Sequence, residues 1–369
     1  MTLDRRHFLR AGSSAALLAA LPRLSLAQGA THLPFDPKPG PWRTFEVTTR
    51  IEIAKPAGAS RAWIPVPAVE SDYQKLVGHV WSSNGRVRME RDGKYGAALV
   101  SVEWPEGEAK PGAQVVSTFA TRNRATDFSR PDPALRLDAA SARFFTAPTE
   151  LIPTDGIVRD TARDIVKGKR GDVEKARAIY DWVVENTFRD PKTRGCGVGD
   201  IKALLETNNL GGKCADLNAL YVGLARSVGL PARDVYGLRV VKSEFGYRSL
   251  GAGSENVTRA QHCRAEVFLT GFGWVPVDPA DVRKVVLEER AQPTTLADPV
   301  VPPVRAKLFG AWEMNWLAYN EAHDVKLPGS SGAAVGFLMY PQAETGGARL
   351  DSLDPDNFKY TITARELKA

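Results

Sequence analysis

The stretch that most constrains the fold is Gly211-Gly212-Lys213-Cys214, because a helical period begins directly behind it. Apolar residues fall at Leu217, Leu220, Tyr221, Leu224 and Val228, the i, i+3, i+4, i+7 spacing of a helix with one buried face. Gly229 and Pro231 end that helix. A glycine turn therefore delivers Cys214 to a helix start. A thiol there sees the positive end of the helix dipole, which favours thiolate and makes Cys214 a candidate nucleophile. The competing reading is an inert buried cysteine, since free cysteine is among the most buried residue types.

With 369 residues the chain is long enough for two or three domains, and 25% charged and 43% hydrophobic residues describe an ordinary globular protein. Its first segment pairs Arg5-Arg6 ahead of a short alanine-rich run and Ser25-Leu26-Ala27, and so resembles a twin-arginine export signal, residues 1–27, cleaved near Ala27. The apolar run from Ala11 to Leu21 is too short for a bilayer, which needs about 20 residues. Without residues 1–27 the net charge of +6 becomes 45 minus 42, or +3. The remaining Lys and Arg are scattered, which argues against nucleic acid as a partner. No later stretch is apolar enough to span a membrane, so the mature chain is expected in the periplasm. Cys196, Cys214 and Cys263 are an odd number for an exported protein, compatible with one free thiol and a Cys196–Cys263 disulfide. Twin-arginine substrates fold before export, however, so the fold should not depend on that bridge. No flavin, nicotinamide or phosphate motif is visible, and Gly212-Lys213 is followed by cysteine where a P-loop needs serine or threonine, so no cofactor is expected. Oligomeric state is not legible.

Residues 28–41, rich in proline and glycine, read as a linker. Residues 42–131 read as a β-sandwich-like domain: Phe45, Val47, Thr49, Ile51 and Ile53 alternate, and turn signals stand at Asn84-Gly85 and Asp92-Gly93. Within it Arg61–Pro67 reads as an edge strand, since two prolines remove ladder donors. Two helices follow, capped by Thr154 and Asp172. Cys196, between two glycines in the next loop, reads as a structural or regulatory thiol rather than a second nucleophile.

Past the cysteine helix, Arg233–Val241 and Gln261–Leu269 read as strands. On the second, His262, Arg264 and Glu266 share one face and Cys263, Ala265 and Val267 the other, so Cys263 is expected to point away from the histidine. That alternation weakens a metal site built from His262 and the cysteines, which also lacks zinc spacing. A tight turn at Thr270–Gly273 returns the chain as Trp274–Asp278, bringing Asp278 near His262. Residues 301–369 form a C-terminal extension packing on the core. Its aromatic run, with Trp312, Trp316 and Tyr319, reads as core packing or as a carbohydrate or peptide groove.

A cysteine at a helix start, a histidine on a strand and an aspartate on the next strand are the ordered parts of a thiolate nucleophile, its base and the base's orienting group. The segments Gly212-Lys213-Cys214-Ala215-Asp216-Leu217, His262-x-x-x-Glu266-Val267 and Gly273-Trp274-Val275-Pro276-Val277-Asp278 resemble the motifs of the bacterial transglutaminase-like superfamily. The resemblance implies an α+β fold: a papain-like transglutaminase core over residues 148–300, its cysteine helix packed on an antiparallel sheet, behind the N-terminal β-sandwich. It further implies a catalytic triad of Cys214, His262 and Asp278. Where the family often has Ala-Trp after the histidine this chain has Cys263-Arg264; Arg264 is expected either to meet an acidic substrate group or to pair with Glu266. The function that follows is a periplasmic cysteine enzyme acting on protein or peptide amides through a thioester, with hydrolysis favoured over crosslinking. The alternative is a non-catalytic protein- or glycan-binding module that keeps the fold.

Overall fold

The computed structural model describes residues 32–368; the export-signal segment lies outside them. Strand Arg43–Ile53 buries Phe45, Val47, Thr49, Ile51 and Ile53, as its alternation predicts. It pairs antiparallel with Gly112–Thr121 on one side and Phe358–Leu367 on the other, and Gln74–Ser83 completes a four-stranded sheet. A five-stranded sheet runs in the order Ala348–Arg349, Gln342–Thr345, Ser60–Pro65, Ala98–Trp104, Arg86–Arg91. Ile51, Ile53 and Val115 of the first meet Ile64, Val100 and Val102 of the second across a common apolar core. The Asn84-Gly85 turn carries the chain between the sheets, and Asn84 Oδ1 accepts from Trp104 Nε1 at 2.7 Å.

Ser60–Pro65 is not an edge strand. It pairs with Ala98–Trp104 along its length and with Gln342–Thr345 as far as Trp63. Pro65 stands past the last residue that needs a donor on the second side, so the proline costs no ladder bond. The strands that flank Arg43–Ile53 and Ser60–Pro65 from the C-terminal end are separated from them by more than 250 residues of sequence, and no local pattern announces such a pairing.

The second sheet system is antiparallel, in the order Gly273–Val277, Gln261–Leu269, Ala232–Arg239, Trp316–Asn320. The cysteine helix, Cys214–Ser227, lies on it, and helices Gly156–Ile165, Asp172–Asn186 and Ile201–Glu206 cover the other side of that helix. Every residue from Cys214 to Arg226 is therefore buried, where the sequence period predicts one buried face. The small residues Ala219, Gly223 and Ala225 explain the difference: they let neighbours close on the side that the large apolar residues do not occupy. At Gly223 a Cβ would strike Ile201.

Trp312, Trp316 and Tyr319 are fully buried, and Trp316–Asn320 is the sheet's fourth strand. This overturns the carbohydrate- or peptide-groove reading of the aromatic run: its rings are core. Leu317 and Tyr319 pack with Leu238 and Val240 against Phe45, Val47, Phe119 and Ile362, joining this sheet to the sandwich. Among the described residues no helix is long and apolar enough to cross a membrane.

Candidate active site

Cys214 is the first residue of its helix. Asp216, two residues on, accepts hydrogen bonds from the backbone N–H groups of Lys213, Val198 and Gly199, each at 2.9 Å. One carboxylate thus binds the 195–200 loop to the helix start. This close approach is what the glycines serve: a Cβ on Gly212 would stand 2.6 Å from Asp216, and one on Gly197, at φ +95°, closer still. Cys196 O accepts from Ala215 N at 2.9 Å, whereas the Cys214 N–H donates to no other group among the described residues.

The Cys214 thiol is in contact with the thiols of Cys196 and Cys263 and with the His262 ring. Hydrogen bonds from Cys196 and Cys263 hold its pKa well below the ordinary thiol value; burial opposes them, and His262 adds to the lowering. Cys263 therefore points at Cys214, not away from the site. The strand alternation itself holds, since Ala265 and Val267 beyond Cys263 face the cysteine helix. Two adjacent side chains on opposite faces of the strand, His262 and Cys263, therefore both lie beside Cys214. All three cysteines are free thiols, and the Cys196–Cys263 disulfide is not formed.

His262 Nε2 lies 2.8 Å from Asp278 Oδ2, which leaves Nδ1 for the thiol. Asp278 caps the helix Pro279–Glu288 by accepting from Asp281 N at 3.0 Å, so the strand end and the helix start fix its carboxylate together. Asn218 on the cysteine helix donates to Asp278 Oδ1 at 3.3 Å and to Cys263 O at 2.7 Å, and Trp316 Nε1 donates to His262 O at 2.8 Å. Burial works to lower the His262 pKa, but the Asp281 and Asp278 carboxylates outweigh it and Arg239, and the imidazole is raised to about 9. The structure thus brings Cys214, His262 and Asp278 together as an imidazolium beside a thiol that readily ionises.

Three participants were not legible as such. Asp281 lies 3.4 Å from His262 Nε2, and Arg239 grips both its oxygens at 2.5 and 2.6 Å, holding Asp281 well below the usual carboxylate range despite burial. The i, i+3 spacing of Asp278 and Asp281 across Pro279 was the available signal, because it sets both on one helix face. Asn218, one turn after Cys214, is the third.

Arg264 neither meets solvent nor pairs with Glu266. It is 2% exposed, stacked 4.8 Å from Trp316 and 5.3 Å from Trp312, with Nε 3.5 Å from Asp278 Oδ2. Glu266 takes Arg124 and Arg233 instead. His262, Asp278 and Asp281 approach one another as metal ligands would, but Arg239 and Arg264 already supply the cationic charge that these carboxylates need.

Cys214 and His262 open on a cleft of ≈ 710 Å³. The 251–261 loop, held to the strand Phe358–Leu367 by Val257 N donating to Ile362 O at 2.8 Å, lines it together with Tyr340, Leu353 and Tyr360.

Comparison with known proteins agrees with this architecture. A family model of the transglutaminase-like superfamily, its transglutaminase core, matches residues 159–279, a span that holds the cysteine, the histidine and the aspartate. An uncharacterized protein of Haemophilus influenzae is 35% identical over 342 residues, which is 88% of this chain and 91% of that one. A solved structure from Cytophaga hutchinsonii, provisionally assigned as a cysteine protease, is similar in fold at a TM-score of 0.50 and 15% identity, over 88% of this chain and 99% of that one. This chain belongs to the transglutaminase-like superfamily.

Proposed function

We propose that the protein is a periplasmic cysteine enzyme that opens protein or peptide amides, with Cys214 as nucleophile, His262 as acid and base, and Asp278 as the group that orients the imidazole. The Cys214 thiolate attacks the carbonyl carbon, and the resulting oxyanion is held by the unpartnered Cys214 N–H at the positive helix end. Collapse breaks the C–N bond as His262 gives its proton to the leaving amine, and a thioester remains. Water then attacks, His262 takes its proton, and the acid leaves as the thiolate is restored. An amine attacking instead of water gives a new amide. Hydrolysis is favoured, because the cleft adjoins solvent and water needs no binding site of its own.

The observation that supports this reading most directly is the 2.8 Å His262–Asp278 contact behind a thiol at the head of an open cleft. Export rests on Arg5-Arg6 and the Ser25-Leu26-Ala27 site. One experiment addresses both: the protein is recovered from the periplasm after an acid quench, and its intact mass and peptides are read. The expected species begins just after Ala27 and carries an acyl adduct on Cys214 that hydroxylamine removes and Cys214→Ala abolishes. A tight complex with a partner, unaltered Cys214 and no adduct would support the binding-module reading instead.

A further inference from the structure

The cleft at Cys214 has a one-sided charge. Arg189, Arg194, Lys213, Arg239, Arg259 and Lys284 line it and, among the described residues, no Asp or Glu does, although the chain as a whole is nearly balanced at 49 basic and 43 acidic residues. Some of these cations are already matched: Arg239 binds Asp281, and Arg194 lies 2.6 Å from Asp351. Arg189 and Lys284 share a single carboxylate, Glu288. Lys213 and Arg259 have no carboxylate within 4 Å among the described residues. About three positive charges therefore face the cleft unmatched, one of them on the residue next to the nucleophile. Lys284 feels the surplus: burial, with Arg239 and Arg189 nearby, pushes its ammonium down to about 8.

A concave, partly dry site lined by one sign of charge concentrates ions of the opposite sign. We infer that the cleft selects acidic peptides, amide substrates bearing carboxylates close to the scissile carbonyl, with Lys213 and Arg259 as the groups that meet them. The loop residue Arg259 is exposed and Lys213 half-buried, so both present their charge to an arriving substrate. This inference rests on the reading of Cys214 as the nucleophile, and it assigns the substrate charge that Arg264, sealed under two indoles, does not.

Two small alkylating reagents test it without a known substrate. Iodoacetate and iodoacetamide differ in charge and little in size, and the rate at which each modifies Cys214 in the whole protein is read by peptide mass spectrometry. Relative to the same ratio for glutathione, Cys214 is expected to prefer iodoacetate about tenfold or more at low salt, less so as salt screens the cleft. The double variant Lys213→Met/Arg259→Gln is expected to return the ratio most of the way to the glutathione value. A Cys214 that reacts fast with both reagents, at the glutathione ratio, overturns the acidic-substrate inference and leaves the nucleophile standing. A Cys214 that is slow with both overturns the nucleophile, and this inference with it.

Discussion

Strand Gln261–Leu269 carries two buried charge clusters on one face, and they behave oppositely. Around Glu266 every valence is filled: Arg124 and Arg233 bind its two oxygens, Arg233 lies 4.0 Å over Trp274, and Arg124 lies 4.8 Å over Tyr73. Burial raises the Glu266 pKa and the two arginines more than reverse that, so the carboxylate stays ionised. Around His262, four residues earlier, charge is left poised. The ring is raised to about pKa 9, the Cys214 thiol lies beside it, and the assembly opens on a cleft. Burial and charge are common to both, so they do not by themselves mark a site. An unfilled valence that meets a cavity does.

The largest effect expected from this contrast is on stability. Glu266→Gln removes the buried carboxylate that Arg124 and Arg233 share and leaves them only Asp72 and Glu321 at its rim; it should cost about 3 kcal/mol in urea unfolding, while the folded fraction still alkylates at Cys214 at the wild-type rate. If alkylation collapses as well, the two clusters are one functional unit and the contrast is wrong.

A smaller effect separates them by pH. The folded His262 pKa of about 9 lies above its ordinary 6.5, so the stability it contributes is complete below 6.5 and fades as pH rises to 9. Cys214 is held well below its ordinary 9.0, so the stability it contributes is present above 9.0 and is lost as pH falls. The two slopes oppose each other in the wild-type protein, and Cys214→Ser removes only the second. From pH 6.5 to 9 the wild-type protein should therefore gain stability relative to Cys214→Ser. A gap that stays constant with pH means that the thiol is ordinary.

How much of this the sequence carried depends on the range of the interaction. The helix after Cys214, the strand Gln261–Leu269 and the turn to Asp278 are local periodicities, and they were legible with nearly the observed bounds. The place of Asp278 beside His262 followed from a hairpin too short to slip. What was hidden is long-range. Strand alternation correctly put Cys263 on the face opposite His262, yet gave no sign that both would lie beside Cys214. The sequence offers Glu266 as the neighbour of Arg264, whereas arginines 33 and 142 residues away, Arg233 and Arg124, take that carboxylate. The strands that complete the sandwich come from the far end of the chain, and the cleft's charge appears only when six distant cations are folded onto it.

The central claim is that His262, oriented by Asp278, holds Cys214 as a thiolate. Its most direct test is the pH dependence of Cys214 alkylation by iodoacetamide, followed by peptide mass spectrometry in the wild-type protein and in His262→Asn. The wild-type rate should already be on its plateau below neutral pH, and His262→Asn should lower it there by about 100-fold. A wild-type rate that climbs through the ordinary thiol pKa of 9.0, and that His262→Asn leaves unchanged, would contradict the account.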